Sequence, residues 1–212
     1  MSGPLREYAL VSNPSRRSLL VVLGLAAARP ALAARSPEND ALIAKATDYL
    51  DGLSSAQSRF TQSDARGREA TGTLWLARPG RARFQYDPPS GYLITCDGKT
   101  VTISDSRLKS VQRFPLSSTP LGVFLAQHIR LDHGAHVTRV DRSPDGFSIT
   151  ARDSRGLSQG EITLFFTNDP IRLTGWVVID AQARMTRVTL EDLKPTPTPD
   201  SSLFTQSTDA AG

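Results

Sequence analysis

The stretch Leu74-Trp75-Leu76-Ala77-Arg78-Pro79-Gly80-Arg81-Ala82-Arg83-Phe84-Gln85-Tyr86 decides the fold. Read as two antiparallel strands about a Pro79-Gly80 turn, it places Trp75, Ala77, Ala82, Phe84 and Tyr86 on an apolar face. Leu74, Leu76, Arg81, Arg83 and Gln85 occupy the alternate phase. A sheet with one apolar face covers either a packed core or a bound apolar cargo. Arg78 is the oddity, a lone cation at a strand end beside the turn.

Outward from this hairpin the same alternation recurs. Toward the N-terminus lie Ser55–Gln62 and Ala70–Ala77. Toward the C-terminus lie Tyr92–Cys96, Thr100–Ser104, Lys109–Phe114, His136–Asp141, Gly146–Ala151, Gly160–Thr167, Arg172–Asp180 and Met185–Glu191. Turn chemistry separates them at Asp87-Pro88-Pro89-Ser90-Gly91, Asp97-Gly98, Pro144-Asp145-Gly146 and Asn168-Asp169-Pro170. Two segments carry helical spacing instead. Leu42, Ile43, Ala46, Tyr49, Leu50 and Leu53 form one face of an amphipathic helix over 39–53. Leu121, Phe124, Leu125 and Ile129 form the stripe of a second helix, with Thr119 as its cap and Pro120 in its first turn.

About ten or eleven strands against two or three helices is more sheet than those helices cover as a filled core. Such a sheet closes into a barrel or is capped, and two separated amphipathic helices are natural caps. The reading is therefore mainly β, an unclosed antiparallel barrel with a helical lid. The tail over 195–212 alternates Pro with Thr and reads as extended or disordered.

The first 33 residues read as an export signal. Arg16 and Arg17 precede the apolar run Ser18–Ala28, and Ala31-Leu32-Ala33 has the small-x-small form of a cleavage site. The run is about 11 residues, short of the roughly 20 a spanning helix needs. The arginine pair fits a twin-arginine signal as well as an ordinary basic leader. A mature domain over 34–194 in the periplasm follows.

The net charge of +4 does not indicate nucleic acid. Arg6, Arg16, Arg17 and Arg29 against Glu7 give the leader +3, which leaves about +1 for the remainder. Cys96 is the single cysteine, so no internal disulfide or cysteine metal site is available, and it reads as a small inner-face residue.

The order of these segments resembles the outer-membrane lipoprotein carrier family, LolA. The residues that carry the resemblance are SAQSRFTQ at 55–62, G-x-LWLARPGRARF at 72–84, DGKTV at 97–101 and PLSSTPLGVFLA at 115–126. The resemblance implies a half-barrel with lid helices over an apolar cavity and no catalysis. It implies partners as well: acylated lipoproteins as cargo, an inner-membrane ABC transporter that releases them, and an outer-membrane acceptor, with the carrier a monomer and no cofactor or metal. It places Arg78 as a latch from sheet to lid helices. The cavity candidates are Trp75, Phe84, Tyr92, Leu93, Leu121, Val123, Phe124 and Leu125. Ala82 departs from the family, which often carries a large apolar residue there.

Two other readings are weaker. His128, Asp132, His133 and His136 have no familiar metal spacing and fit a solvated loop, and no serine sits in a G-x-S-x-G elbow. A periplasmic lipid-binding or sensor module of the same fold is the closer alternative.

Overall fold

The computed structural model describes residues 36–126, 135–154, 156 and 158–206. The chain divides into Met1–Ala34 and Arg35–Gly212, and the described residues fall in the second unit. The expected leader, and His128, Asp132 and His133, lie outside them.

Helix α1 runs Pro37–Gly52. Ser36 caps it by accepting from the Asn39 amide, Pro37 needs no hydrogen bond in the first turn, and Glu38 and Asp40 face the positive end of the helix dipole. Ile43, Ala46 and Leu50 are its buried stripe. The strands are β1 Ser55–Asp64, β2 Glu69–Ala77, β3 Arg81–Tyr86, β4 Tyr92–Asp97, β5 Thr100–Asp105 and β6 Ser110–Pro115. They continue with β7 Ala135–Arg142, β8 Gly146–Asp153, β9 Gly160–Thr167, β10 Leu173–Asp180, β11 Met185–Leu190 and β12 Lys194–Pro195. A 3-10 turn at Leu116–Ser118 leads into helix α2, Leu121–Leu125. Thr119 does not cap α2. Its hydroxyl turns back to the Leu116 carbonyl at 2.9 Å, and Pro120 stands at the cap position.

All strands join one antiparallel sheet in the order β6-β5-β4-β3-β2-β1-β11-β10-β9-β8-β7, with β12 paired to β1. Two meanders therefore meet where β1 pairs β11, and β6 and β7 are left as the two edges of an open half-barrel. The register carries one row of apolar side chains across the first meander, through Ile103, Ile94, Phe84 and Leu74. A second row runs through Val188, Trp176, Leu164 and Ile149. These inner-face residues form one core with the buried stripe of α1 and with Phe124 and Leu125 of α2.

The register also corrects the face of the founding hairpin. Ala77 pairs with Arg81, so residues of like parity oppose each other and Leu74 and Leu76 meet Phe84 and Ala82. Leu74, Leu76, Ala82, Phe84 and Tyr86 are the buried face, and Trp75 pairs with Arg83 on the other side. Alternation within a strand does not fix its phase across a turn, because turn length decides which parities meet.

Gly72 makes the aromatic packing of this hairpin possible. The Phe60 ring lies across it so closely that a Cβ there would stand 2.7 Å from Phe60 Cζ. Phe60 in turn meets Phe84 and Tyr86 edge-on, with ring centroids 5.7 and 5.2 Å away.

Residues 195–206, where the composition suggested an extended or disordered tail, include the end of a short strand and a 3-10 turn. β12 adds to β1, and a 3-10 turn at Ser201–Phe204 returns to the outer face of the sheet. There Phe204 is buried under the Arg81 guanidinium, 5.5 Å from its ring centroid, and Arg83 donates to the Leu203 carbonyl at 3.0 Å. One buried aromatic outweighs the polar composition of the segment that carries it.

Candidate functional site

Arg78 leaves the end of β2, where its amide is held by the Ser54 carbonyl at 2.7 Å. Its side chain is 4% exposed and reaches the C-terminal ends of both helices. Nη1 donates to the Leu50 carbonyl of α1, and Nη2 donates to the Ala126 carbonyl just past α2 at 2.8 Å. Both acceptors are carbonyls at helix ends, where the negative pole of the helix dipole favours a cation. Asp51 stands 3.8 Å from Nη2. Burial pushes the Arg78 guanidinium below its ordinary range, and the Asp51 charge partly offsets this. Nε is buried without a hydrogen-bond partner, which holds this clamp below its full strength. A second tie sits beside it, from the Gly80 amide to the Leu125 carbonyl at 2.7 Å. Gly80 has φ +77°, and a Cβ there would stand 2.7 Å from Gly98 Cα, so the turn that aims Arg78 requires glycine.

Between the sheet and the start of α2 lies a cavity of about 180 Å³. Phe84, Ile94, Ile103, Trp176 and Val178 line its sheet side, and Pro120 and Leu121 its roof. Trp176, 2% exposed, joins the layers: Phe84 meets it edge-on at 6.1 Å, and Phe124 of α2 lies over it at 5.4 Å.

The expected cavity residues divide. Phe84 and Leu121 line the cavity. Phe124 packs on Trp176 without lining the cavity, and Val123 is half-buried against the core. Leu125 is buried, but it faces a separate groove with Pro79, Gly80 and Leu116. Tyr92 is 44% exposed and flanks Tyr86 at 6.0 Å. Trp75 and Leu93 do not belong to this cavity. Trp75 opposes Arg83, and Leu93 lines an outer groove with Ser202, Leu203 and Gln206 of the tail. Trp176, Val178 and Gln62 were not singled out by the sequence reading. The alternation Leu164–Phe166 and Trp176–Val178 was visible, but without the β1–β11 pairing nothing tied it to the hairpin.

Cys96 is buried between Ala82 and Val101, and burial pushes its thiol up to about 12. Among the described residues no group of three or more His, Cys, Asp or Glu side chains is placed to hold a metal ion, and no helix is long and apolar enough to cross a membrane. The site is thus an apolar cavity beside an arginine that ties two helix ends to the sheet.

A family model described as "Outer membrane lipoprotein carrier protein LolA" matches residues 51–207. An outer-membrane lipoprotein carrier protein of Chromobacterium violaceum is 34% identical over 92 residues, 42% of this chain and 45% of that protein, so the chain spans about half its length. One of the same description from Xanthomonas campestris pv. campestris is 30% identical over 161 residues, 70% of this chain and 76% of that protein. Among solved structures, a DUF1329 family protein from Desulfovibrio piger superposes with a TM-score of 0.50 at 11% identity. It covers 79% of this chain and 96% of that one, a likeness of fold alone.

Proposed function

The chain belongs to the outer-membrane lipoprotein carrier family LolA, and from that premise we propose that it binds the acyl chains of lipoproteins released from the inner membrane and carries them to an outer-membrane acceptor. The family carries cargo and does not catalyse. In this reading residues 1–33 export the chain to the periplasm. An inner-membrane ABC transporter loads it, and it works as a monomer.

The observation that carries the reading is the apolar cavity under a five-residue helix that one arginine clamps to the sheet. A 16-carbon acyl chain loses roughly 12 kcal/mol of unfavourable hydration when buried, at about 0.8 kcal/mol per methylene. Such a chain does not cross an aqueous compartment unshielded. The cavity of about 180 Å³ is close to the roughly 150 Å³ that holds a single benzene, far short of one acyl chain. Cargo therefore enters only when the helices lift from the sheet. The work of lifting them offsets part of the binding energy, and this makes release possible. Arg78 is the latch that sets that work, with Phe84, Leu121 and Phe124 facing the cargo once the lid is open.

Native mass spectrometry of the protein purified from a cell envelope expressing an outer-membrane lipoprotein tests the proposal. The expected species is a one-to-one complex with the lipid-modified protein, lost when the acylated cysteine of that lipoprotein is removed. Free lipid alone on the protein would point to a lipid-binding or sensor module, and an empty protein that also fails to take up an apolar dye would overturn the reading.

A further inference from the structure

The cavity wall is apolar apart from Thr119, Thr186 and, side by side, the pair Gln62 and Tyr86. Both stand on the inner face, Gln62 on β1 opposite Val188 and Tyr86 on β3 opposite Gly72. The Tyr86 hydroxyl and Gln62 Oε1 are 2.7 Å apart. Burial pushes the Tyr86 phenol far above its ordinary range, so it keeps its proton at any physiological pH.

This pair holds a hydrogen-bond donor in reserve whichever way the amide is turned. With the hydroxyl donating to Oε1, both protons of Nε2 remain. With Nε2 donating to the hydroxyl oxygen, the phenol proton remains. Thr119, also at the cavity, spends its hydroxyl on the Leu116 carbonyl, while Thr186 on β11, opposite Asp64, brings a further hydroxyl to the Gln62 end. The pair also sits at the far end of the site from the clamp. Ala77, next to Arg78, pairs with Ser55, while Gln62 pairs with Ala70, which is about 23 Å further along β1 at ~3.3 Å per residue. Exposed Tyr92 flanks Tyr86 at that end, and Gln62 itself is half-buried.

We propose that Gln62 and Tyr86 form a carbonyl-binding subsite. It donates one hydrogen bond to the ester or amide carbonyl at the head of an acyl chain whose hydrocarbon runs inward along Phe84 and Trp176. The inference rests on the carrier reading of the cavity. A hydrocarbon chain in an apolar groove has no fixed depth, since each methylene is like the next. A single donor at the solvent end sets the depth and keeps the polar head, and whatever polypeptide it bears, outside. An acyl carbonyl drawn into the groove without a partner loses its hydration for nothing.

The test compares methyl dodecanoate with dodecyl methyl sulfide, which matches it in length but has no carbonyl, each displacing an apolar dye from the purified protein. Gln62→Leu combined with Tyr86→Phe, which removes both donors of the pair, should weaken the ester about 3- to 10-fold and leave the sulfide within about 2-fold, the range one net hydrogen bond supplies. Either substitution alone should give a smaller loss, again for the ester alone. Gln62→Met serves the same comparison if Gln62→Leu lowers the affinity of the dye itself. Equal losses for both ligands, or none for either, overturn the subsite while the carrier reading stands. A wild-type protein that releases dye to neither ligand overturns both.

Discussion

Arg78 donates from Nη2 to the main-chain oxygen of Ala126 at 2.8 Å, and through this bond the C-terminal end of α2 is tied to the sheet. The other terminal nitrogen holds the Leu50 carbonyl at the end of α1, so two helices some 70 residues apart share one guanidinium. In the proposed carrier, opening the lid means breaking contacts made by this side chain.

Arg78→Leu should therefore shift the lid toward its open form. A hydrogen bond from a charged donor is worth about 1.5–3 kcal/mol, but the desolvated guanidinium and its unpartnered Nε reduce the sum. A net bias of about 2 kcal/mol corresponds to roughly 30-fold in the ratio of open to closed forms. Acyl cargo selects the open form, so the variant should fold and bind cargo yet hand it on about an order of magnitude more slowly. Single-turnover transfer to the acceptor measures this, and an unfolded or fully active variant would sink the latch.

The half-barrel and the singular position of Arg78 were legible in the sequence because both depend on local signals. Alternation with turn residues marks each strand, and Arg78 stands out as a charge where a strand should end. The cavity was only half legible. Phe84 lies on the founding hairpin, whereas Trp176 enters through the β1–β11 pairing, a contact more than 100 residues apart that no local pattern encodes. Trp75 was assigned to the wrong face because the hairpin phase depends on a turn register that composition leaves open. Phe204 was missed because one aromatic in a polar tail has no period to reveal it.

Phe204→Ala should release the tail without unfolding the sheet. Phe204 is 1% exposed, and truncating a buried Phe costs about 3–5 kcal/mol where the surroundings remain in place. Here the loss is capped by the docking energy of residues 196–206, which can simply detach. Hydrogen exchange should become fast over that segment while β3 and β4 stay protected. The urea midpoint should fall less than for Phe60→Ala, whose ring is in the core.

Asp87 sets part of the acid limb of stability. Hydrogen bonds from Arg59 and then Thr71 hold its carboxyl down from 3.8 to about 2. A depressed folded-state value stabilises the fold fully above about pH 4, and the contribution is lost as pH falls through 4 toward 2. Asp87→Asn removes that dependence, so urea midpoints measured from pH 5 to pH 2 should fall less steeply in the variant. Some slope should remain, because Asp64, Asp180 and Asp200 are also held below their ordinary values.

Cys96 offers a direct reading of the lid. It lies on the inner face in the row of Leu76, Ala82 and Val101, the row nearest the Arg78 end of the sheet, and its thiol is raised to about 12. While it stays buried, almost none of this thiol is in the reactive thiolate form at pH 8. Alkylation by a maleimide should thus be very slow in the closed protein and proceed through the open form. Arg78→Leu should speed it in step with the shift in open population, up to about 30-fold. A saturating acyl ligand should slow it again by filling the cavity beside Val101, the cross-strand partner of Cys96. Equal rates in wild type and variant would mean that the helices do not control access to this part of the interior, and that Arg78 holds them for some purpose other than closure.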